Sequence, residues 1–132
     1  DEVIWTGYIS AERVTEILLA ADLFLAPYEG GISSRRSSLM AAIVHGLPIV
    51  STPSNIATRY FRAGENFMPV PFGDAGALAG VVASHMDDPV RRGLLREGSG
   101  VLAEVFSWPD IALHTRDFHV DLLAGNHSGE AG

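Results

Sequence analysis

Residues 28–38 read YEGGISSRRSS, set between two strongly apolar segments, DLFLAP (22–27) and LMAAIVHGLPIVST (39–52). Two glycines, four serines and two adjacent arginines in so short a stretch suit the binding of an anion. Glycines let an anion approach the backbone closely, serines 33, 34, 37 and 38 supply hydroxyl donors, and Arg35 and Arg36 supply charge. All nine basic residues of the chain are arginine, and a guanidinium fork matches phosphate oxygens more closely than an ammonium does. A phosphate or diphosphate site is one reading. The other is plainer: a serine-rich loop that caps the next helix, with arginines that are solvated or paired with Glu29. The stretch is neither GxxxxGKS nor GxGxxG, so no specific phosphate-loop motif decides between the two.

The elements around the stretch say where it must lie. VIW (3–5), DLFLAP (22–27), PIVST (48–52) and NFMPV (66–70) are short apolar runs without in/out alternation, as expected of strands buried on both faces of a parallel sheet. Between them the period changes to that of a helix. Val14, Ile17, Leu18 and Ala21 form one stripe behind Ser10 as N-cap. Leu39, Met40, Ile43 and Val44 form another, in a helix that starts near Ser34 and stops at Gly46 and Pro48. From Asp74 onward three helices follow without an intervening strand. Asp74 caps the first, whose stripe is Leu78, Val81, Val82 and Met86. Asp88 opens the second with Pro89 in its first turn. Ser107 and Asp110 have capping-box spacing at the third, which turns Ile111, Thr115, Phe118 and Leu122 inward.

Strand–helix alternation implies right-handed crossovers and a doubly wound α/β sheet, a Rossmann-like parallel sheet with flanking helices. Ligands of such sheets bind outside the carboxyl ends of the strands, here at Thr6–Tyr8, Tyr28–Ser34, Thr52–Asn55 and Pro71–Asp74. The 28–38 stretch is the longest of these loops and feeds directly into a helix. With a helix starting near Ser34, both arginines fall in its first turn, where the dipole disfavours a cation until an anion is bound.

The bulk composition narrows the partners. The 132 residues suit one domain, with residues 1–125 folded and the small polar tail 126–132 disordered. A formal net charge of −7 argues against a nucleic-acid backbone or an anionic membrane surface as partner. There is no cysteine, which excludes disulfides and thiolate metal sites and is compatible with a reducing, cytoplasmic location. No apolar run approaches the roughly 20 residues of a membrane span, so a soluble protein is expected. The five histidines, at 45, 85, 114, 119 and 127, have no ligand-like spacing and read as structural. Trp5, Trp108 and the phenylalanines read as core packing positions, and so does Tyr8.

The order of segments resembles the C-terminal, donor-binding domain of GT-B glycosyltransferases, in particular the group 1 (family 4) set of retaining, nucleotide-sugar-dependent enzymes. VIWTGYISAERVTEILLAADLFLAP is similar to that family's strand, helix and AADLFVLPS passage, and LMAAIVHGLPIVST to its EAMACGLPVVST. FMPVPFGDAGALAGVVASHMDDPVRRGLL is similar to LVPPGDPEALAEALLRLLDDPELRRRL, and FSWPDIALHTRDFHVDLL to FSWERIAEQTLALYRELL. The departure lies in the 28–38 stretch. The family carries two glutamates eight positions apart; here the position of the second is Ala41, and the residue eight after Glu29 is Ser37. ISSRRSSLMAAIVHGLPIVST is instead similar to a subgroup with the pattern GxSxRRxSLxAAxxHGLPVVTT.

The resemblance implies an N-terminally truncated C-terminal half of the GT-B fold with a helical C-terminal tail. The strands and the arginine and lysine upstream, and the acceptor domain, are outside this chain, so the isolated chain is expected to be inactive. For the intact protein it implies transfer of a glycosyl group from a nucleoside diphosphate sugar to an acceptor that it does not identify. Departure of the diphosphate would be eased by Arg36 as the catalytic cation. Glu29, Gly30, Gly31, Ser33, Ser34, Arg35, Ser37 and Ser38 form the donor-binding set, with the backbone N–H groups of residues 31–34 as donors and Glu29 accepting from sugar hydroxyls. No metal and no cofactor are implied. The alternatives are a non-catalytic nucleotide-binding or interaction module, and another GT-B enzyme such as a sugar-phosphate synthase or epimerase. A missing first strand would leave a sheet edge open at VIW or a neighbour, through which the fragment would self-associate.

Overall fold

The computed structural model describes residues 2–56 and 58–125. Along the chain the elements are α1 (Ala11–Ala20), β1 (Phe24–Ala26), α2 (Ser37–Val44), β2 (Ile49–Ser51), β3 (Met68–Pro69), α3 (Ala75–Met86), α4 (Pro89–Val105) and α5 (Trp108–Leu123). The sheet is parallel, in the order β1-β2-β3 without reversal among the described residues, and Phe24, Leu25 and Ala26 stand opposite Ile49, Val50 and Ser51. The architecture is the expected α/β one, with a sheet of three strands flanked by helices. Residues 126–132, expected to be a disordered tail, lie outside the described residues.

Helix starts follow the local capping chemistry. The side chains of Ser10, Asp74, Asp88 and Ser107 accept from the N–H groups of Arg13, Ala77, Arg91 and Asp110, each satisfying a donor that has no partner inside its helix. Pro89 occupies the first turn of α4, where its missing N–H costs nothing. At α5 the Asp110 carboxylate turns back onto the Ser107 hydroxyl.

α2 departs from the expected start near Ser34. It begins at Ser37, with Arg36 at the N-cap and no side-chain cap. The reason is a preceding turn: the Arg36 N–H donates to the Ser33 carbonyl (3.2 Å) and the Arg35 N–H to the Ser33 hydroxyl (3.3 Å), so residues 33–36 are committed before the helix opens. Arg35 and Arg36 therefore precede the first helical turn.

The core lies between α2, β2 and α4. All three residues of β2 are buried, as a central strand covered on both faces requires. Leu39 and Ile43 of α2 meet Ile49 of β2 and Leu102 of α4 in one cluster with Ile32, Phe61 and Phe67. Each such fully buried Leu or Ile contributes about 1.5–3 kcal/mol. Ser99 is buried on the same side of α4 and donates to the Leu47 carbonyl at 2.6 Å, joining α4 to the turn that enters β2.

Several expectations are overturned. VIW is not a strand: Val3, Ile4 and Trp5 are exposed and pair with no neighbour, and an apolar run without a ladder partner remains irregular chain. The open edge expected at VIW or a neighbour falls at the neighbour, and among the described residues β1 and β3 are the edge strands. The NFMPV strand contracts to Met68–Pro69. Val44 and Met86 point to solvent, and α3 buries His85 instead. In α5, Ile111, Thr115, Phe118 and Leu122 are exposed, since most of that helix has no element packed against it. Trp108 and Tyr8 are exposed as well, as are Phe72 and Phe118, whereas Phe61 and Phe67 are core residues.

Candidate functional site

The parallel strands β1 and β2 end side by side. The Ser51 hydroxyl, fully buried at the end of β2, donates to the Ala26 carbonyl at the end of β1 (2.7 Å) and locks the two carboxyl ends together. From there the chain turns at once. The Tyr28 N–H donates to Ala26 (2.8 Å), the Gly31 N–H to Tyr28 (3.0 Å) and the Ile32 N–H to Thr52 (2.8 Å). Ile32 is buried in the core and pins the middle of the loop beside the end of β2. Gly31 has φ +77°, a left-handed conformation that side chains disfavour.

This geometry gathers Gly30, Gly31, Ser33, Arg35 and Arg36 around a cavity of about 450 Å³, completed by Ser54, Ile56 and Thr58 from the loop after β2. No carboxylate stands among these residues, and among the described residues no carboxylate lies within 4.0 Å of either arginine. The pairing with Glu29 that the plainer reading allowed is not formed. The Arg36 guanidinium instead stacks over the Tyr28 ring, 4.4 Å from its centroid. Of the backbone donors expected from residues 31–34, those of Gly31 and Ile32 are consumed by the loop's own turn, and those of Ser33 and Ser34 find no acceptor among the described residues. At the start of α2 the N–H groups of Ser37, Ser38 and Leu39 have no intrahelical acceptor and no capping side chain, so the positive end of the helix dipole is uncompensated there.

The remaining residues of the expected set are placed elsewhere. Glu29 is exposed and does not line the cavity. Ser34 faces a larger apolar cleft of about 1010 Å³ between α2 and the start of α5. Ser37 is exposed, and Ser38 shares a hydrogen bond with the Tyr28 hydroxyl (3.0 Å). Three lining residues were not in the set, Ile56 and two with hydroxyls. Ser54 and Thr58 follow β2, and the position of residues 52–55 after an apolar run was the signal for the first of them. Thr52, also at that strand end, has a buried hydroxyl without a hydrogen-bond partner among the described residues.

The histidines stay outside the site. His45 closes α2 through a 2.7 Å contact between its Nδ1 and the Ala41 carbonyl, and His119 makes the same contact with Thr115 (2.8 Å). His114 lines the apolar cleft, and His127 lies outside the described residues. Among the described residues no group of His, Asp and Glu is gathered as a metal site would need, and no helix is long and apolar enough to cross a membrane.

The chain is an α/β domain with a parallel three-stranded sheet, in which the loop after β1 carries Arg35 and Arg36 to the start of α2. The sequence profile described as glycosyl transferases group 1 matches residues 1–88, and the chain belongs to that family. Among solved structures, sucrose-phosphate synthase from Thermosynechococcus elongatus superposes with a TM-score of 0.73 at 22% identity, covering 91% of this chain and 30% of that one. The likeness is one of fold: the chain corresponds to a fragment of the GT-B architecture and spans under a third of that enzyme's length. No curated protein matches the sequence.

Proposed function

We propose that the cavity at the end of β1 and β2 receives the diphosphate of a nucleoside diphosphate sugar, and that the chain is the donor-binding part of a glycosyltransferase. In the transfer, the bond between the sugar's anomeric carbon and the diphosphate oxygen breaks, with its electron pair passing to that oxygen. The anomeric carbon bonds to an acceptor oxygen, whose proton passes to the departing diphosphate. The difficulty is the charge that grows on the leaving oxygen, and preorganised donors lower that barrier. Arg36 is the cation best placed for it, Arg35 lies beside it, and the N–H groups at the start of α2 and at Ser33 add to the positive field. Ser33 and Ser54 supply hydroxyls to the phosphate oxygens. Glu29 and Ser37, exposed in the same loop, are left for contacts with the sugar, whereas Ser34 faces the apolar cleft and Ser38 is engaged by the Tyr28 hydroxyl.

The observation that carries this reading is that Arg35 and Arg36 stand beside that cavity with no carboxylate partner among the described residues. Two adjacent cations before an uncapped helix repel each other and the dipole, an arrangement that an anion relieves. In this divergent branch Ala41 stands where the family has its second glutamate and offers the donor no carboxylate, and Arg36 is the principal cation for the leaving group.

A second reading is a binding module without catalysis, favoured by the lack of any carboxylate in the cavity lining. Calorimetric titration with UDP, GDP and their sugars separates binding from no binding. Arg36→Ala is expected to weaken binding about 10- to 100-fold, the loss of a hydrogen bond to a charged group. Arg62→Ala, whose guanidinium pairs with Glu65 at 3.3 Å on the surface, is expected to leave binding unchanged. Failure of the protein to bind any of these nucleotides would sink the transferase reading, whereas binding without turnover by the full-length protein would favour the module.

A further inference from the structure

We infer that Tyr28 is the positioning residue of this site, holding the Arg36 guanidinium in its stacked orientation beside the cavity; the inference rests on the donor-diphosphate reading above. Arg36 sits at the N-cap of α2 without a carboxylate partner, on a long side chain with many rotamers. Something must select one of them. The guanidinium carbon lies 4.4 Å from the centre of the Tyr28 ring, well inside cation–π range. On the cavity side, Nη2 of Arg36 lies 3.5 Å from the point where a Cβ on residue 30 would stand, an ordinary contact distance, so the charge is held against the backbone of Gly30.

The ring is itself held in place. It packs against the core cluster of Ile32, Leu39 and Ile43. Its hydroxyl meets the Ser38 Oγ at 3.0 Å, ten residues further on in the first turn of α2. Tyr28 thus connects the core, the loop and the helix start, and offers Arg36 a fixed surface. Stacking of this kind at an exposed site favours the held orientation by about 2- to 5-fold. A diphosphate that meets a preoriented cation binds tighter by the same factor, because the rotamer is already selected.

The roles of the ring and the hydroxyl separate by substitution. Tyr28→Phe keeps the stacking surface and loses the contact to Ser38; Tyr28→Leu loses both. Affinities for UDP, GDP and inorganic pyrophosphate are measured for the whole chain. Tyr28→Leu is expected to weaken binding about 2- to 5-fold and Tyr28→Phe to bind as the unsubstituted protein does. In an Arg36→Ala background, Tyr28→Leu is expected to have no further effect, which general destabilisation would not reproduce. A second readout needs no ligand: the Arg36 side-chain proton resonances are shifted upfield by the ring, and that shift should persist in Tyr28→Phe and vanish in Tyr28→Leu. Tyr28→Met provides the same test if the leucine variant does not fold. Unchanged binding by Tyr28→Leu alongside weakened binding by Arg36→Ala overturns the positioning role and leaves the donor reading standing. So does an equal loss with and without Arg36. No binding of any of the three probes by the unsubstituted chain overturns the donor reading, and the positioning role with it.

Discussion

Gly31 lies so close to Ser54 that a Cβ on it would stand 2.5 Å from the Ser54 Cα and nearer still to the Pro53 carbonyl oxygen. The two loops that border the cavity, one after β1 and one after β2, touch through backbone, and only glycine permits it. Gly31→Ala is therefore expected to destabilise the fold by about 1–3 kcal/mol, through the left-handed φ and the backbone collision together. Gly46 also has a positive φ (+67°) but open space around it, so Gly46→Ala isolates the conformational part. Thermal unfolding should rank the three proteins with Gly31→Ala lowest, and pyrophosphate binding should fall only in that variant.

Gly98 and Gly100 lie on the same helix and should respond with opposite signs. A glycine in a helix interior costs up to about 1 kcal/mol relative to alanine, so Gly→Ala there ordinarily stabilises. Around Gly100 nothing stands within 4 Å, and Gly100→Ala is expected to raise the thermal midpoint. At Gly98 a Cβ would lie 2.5 Å from the Glu65 carbonyl oxygen and 2.8 Å from the Asn66 Cα, where α4 crosses the 62–67 loop. The collision outweighs the propensity gain, and Gly98→Ala is expected to lower the midpoint. A rise for both would mean that α4 and that loop are not in contact.

What could be read from the sequence was chiefly local. The caps Ser10, Asp74, Asp88 and Ser107 act over three residues, so their spacing alone locates four helix starts. PIVST is recognisable as a strand buried on both faces because its apolar run is continuous rather than alternating, and its one polar strand residue, Ser51, is satisfied by the Ala26 carbonyl. The start of α2 was misplaced because Ser33 accepts from Arg35 and Arg36 in a turn of its own, which a serine-rich sequence does not distinguish from a cap. VIW and the α5 stripe were misread for a common reason: apolar pattern says that a face can be buried, and not that another element covers it. The site divided along the same line. The 28–36 loop is visible as composition and Ser54 as part of the loop after an apolar run, whereas Thr58 joins them only through the parallel pairing of β1 with β2. The stacking of Arg36 on Tyr28 depends on a turn that folds the loop back over itself.

His85 carries a pH dependence. It is fully buried in α3, and neither ring nitrogen has a hydrogen-bond partner among the described residues. Burial first, and then the positive charge of Arg91, hold its pKa below the ordinary imidazole value, with Asp88 opposing and Arg92 adding least. Between that lowered value and the unfolded value of about 6.5, the unfolded chain binds a proton that the folded chain refuses. Stability is therefore full above about pH 6.5 and declines as pH falls through the window beneath it. Denaturant unfolding from pH 8 to pH 5 should show this decline in the natural chain and a reduced one in His85→Leu. Because His85 has no hydrogen bonds to lose, the leucine variant is expected to be within about 1 kcal/mol of the natural chain at pH 8. Identical pH profiles for the two would exclude His85 as the source.

Ser51 joins the strand ends beneath the site, and its removal should be felt in both stability and binding. Its hydroxyl is fully buried and donates to the Ala26 carbonyl at 2.7 Å. Ser51→Ala removes a buried donor and leaves the Ala26 carbonyl with only the Tyr28 N–H on that side, at an expected cost of about 1–2 kcal/mol. Ser84 provides the contrast, since its hydroxyl donates to the Val81 carbonyl on an exposed face of α3, where water replaces it. Ser84→Ala is expected to change stability by no more than about 0.5 kcal/mol. The binding consequence follows from position. Tyr28 hydrogen-bonds to the same Ala26 carbonyl, so loosening that strand end moves the ring on which Arg36 is stacked. Ser51→Ala should therefore weaken pyrophosphate binding by a small factor while Ser84→Ala leaves it unchanged. If Ser51→Ala lowers the thermal midpoint without changing affinity at a temperature where the chain is folded, the strand-end lock serves stability alone.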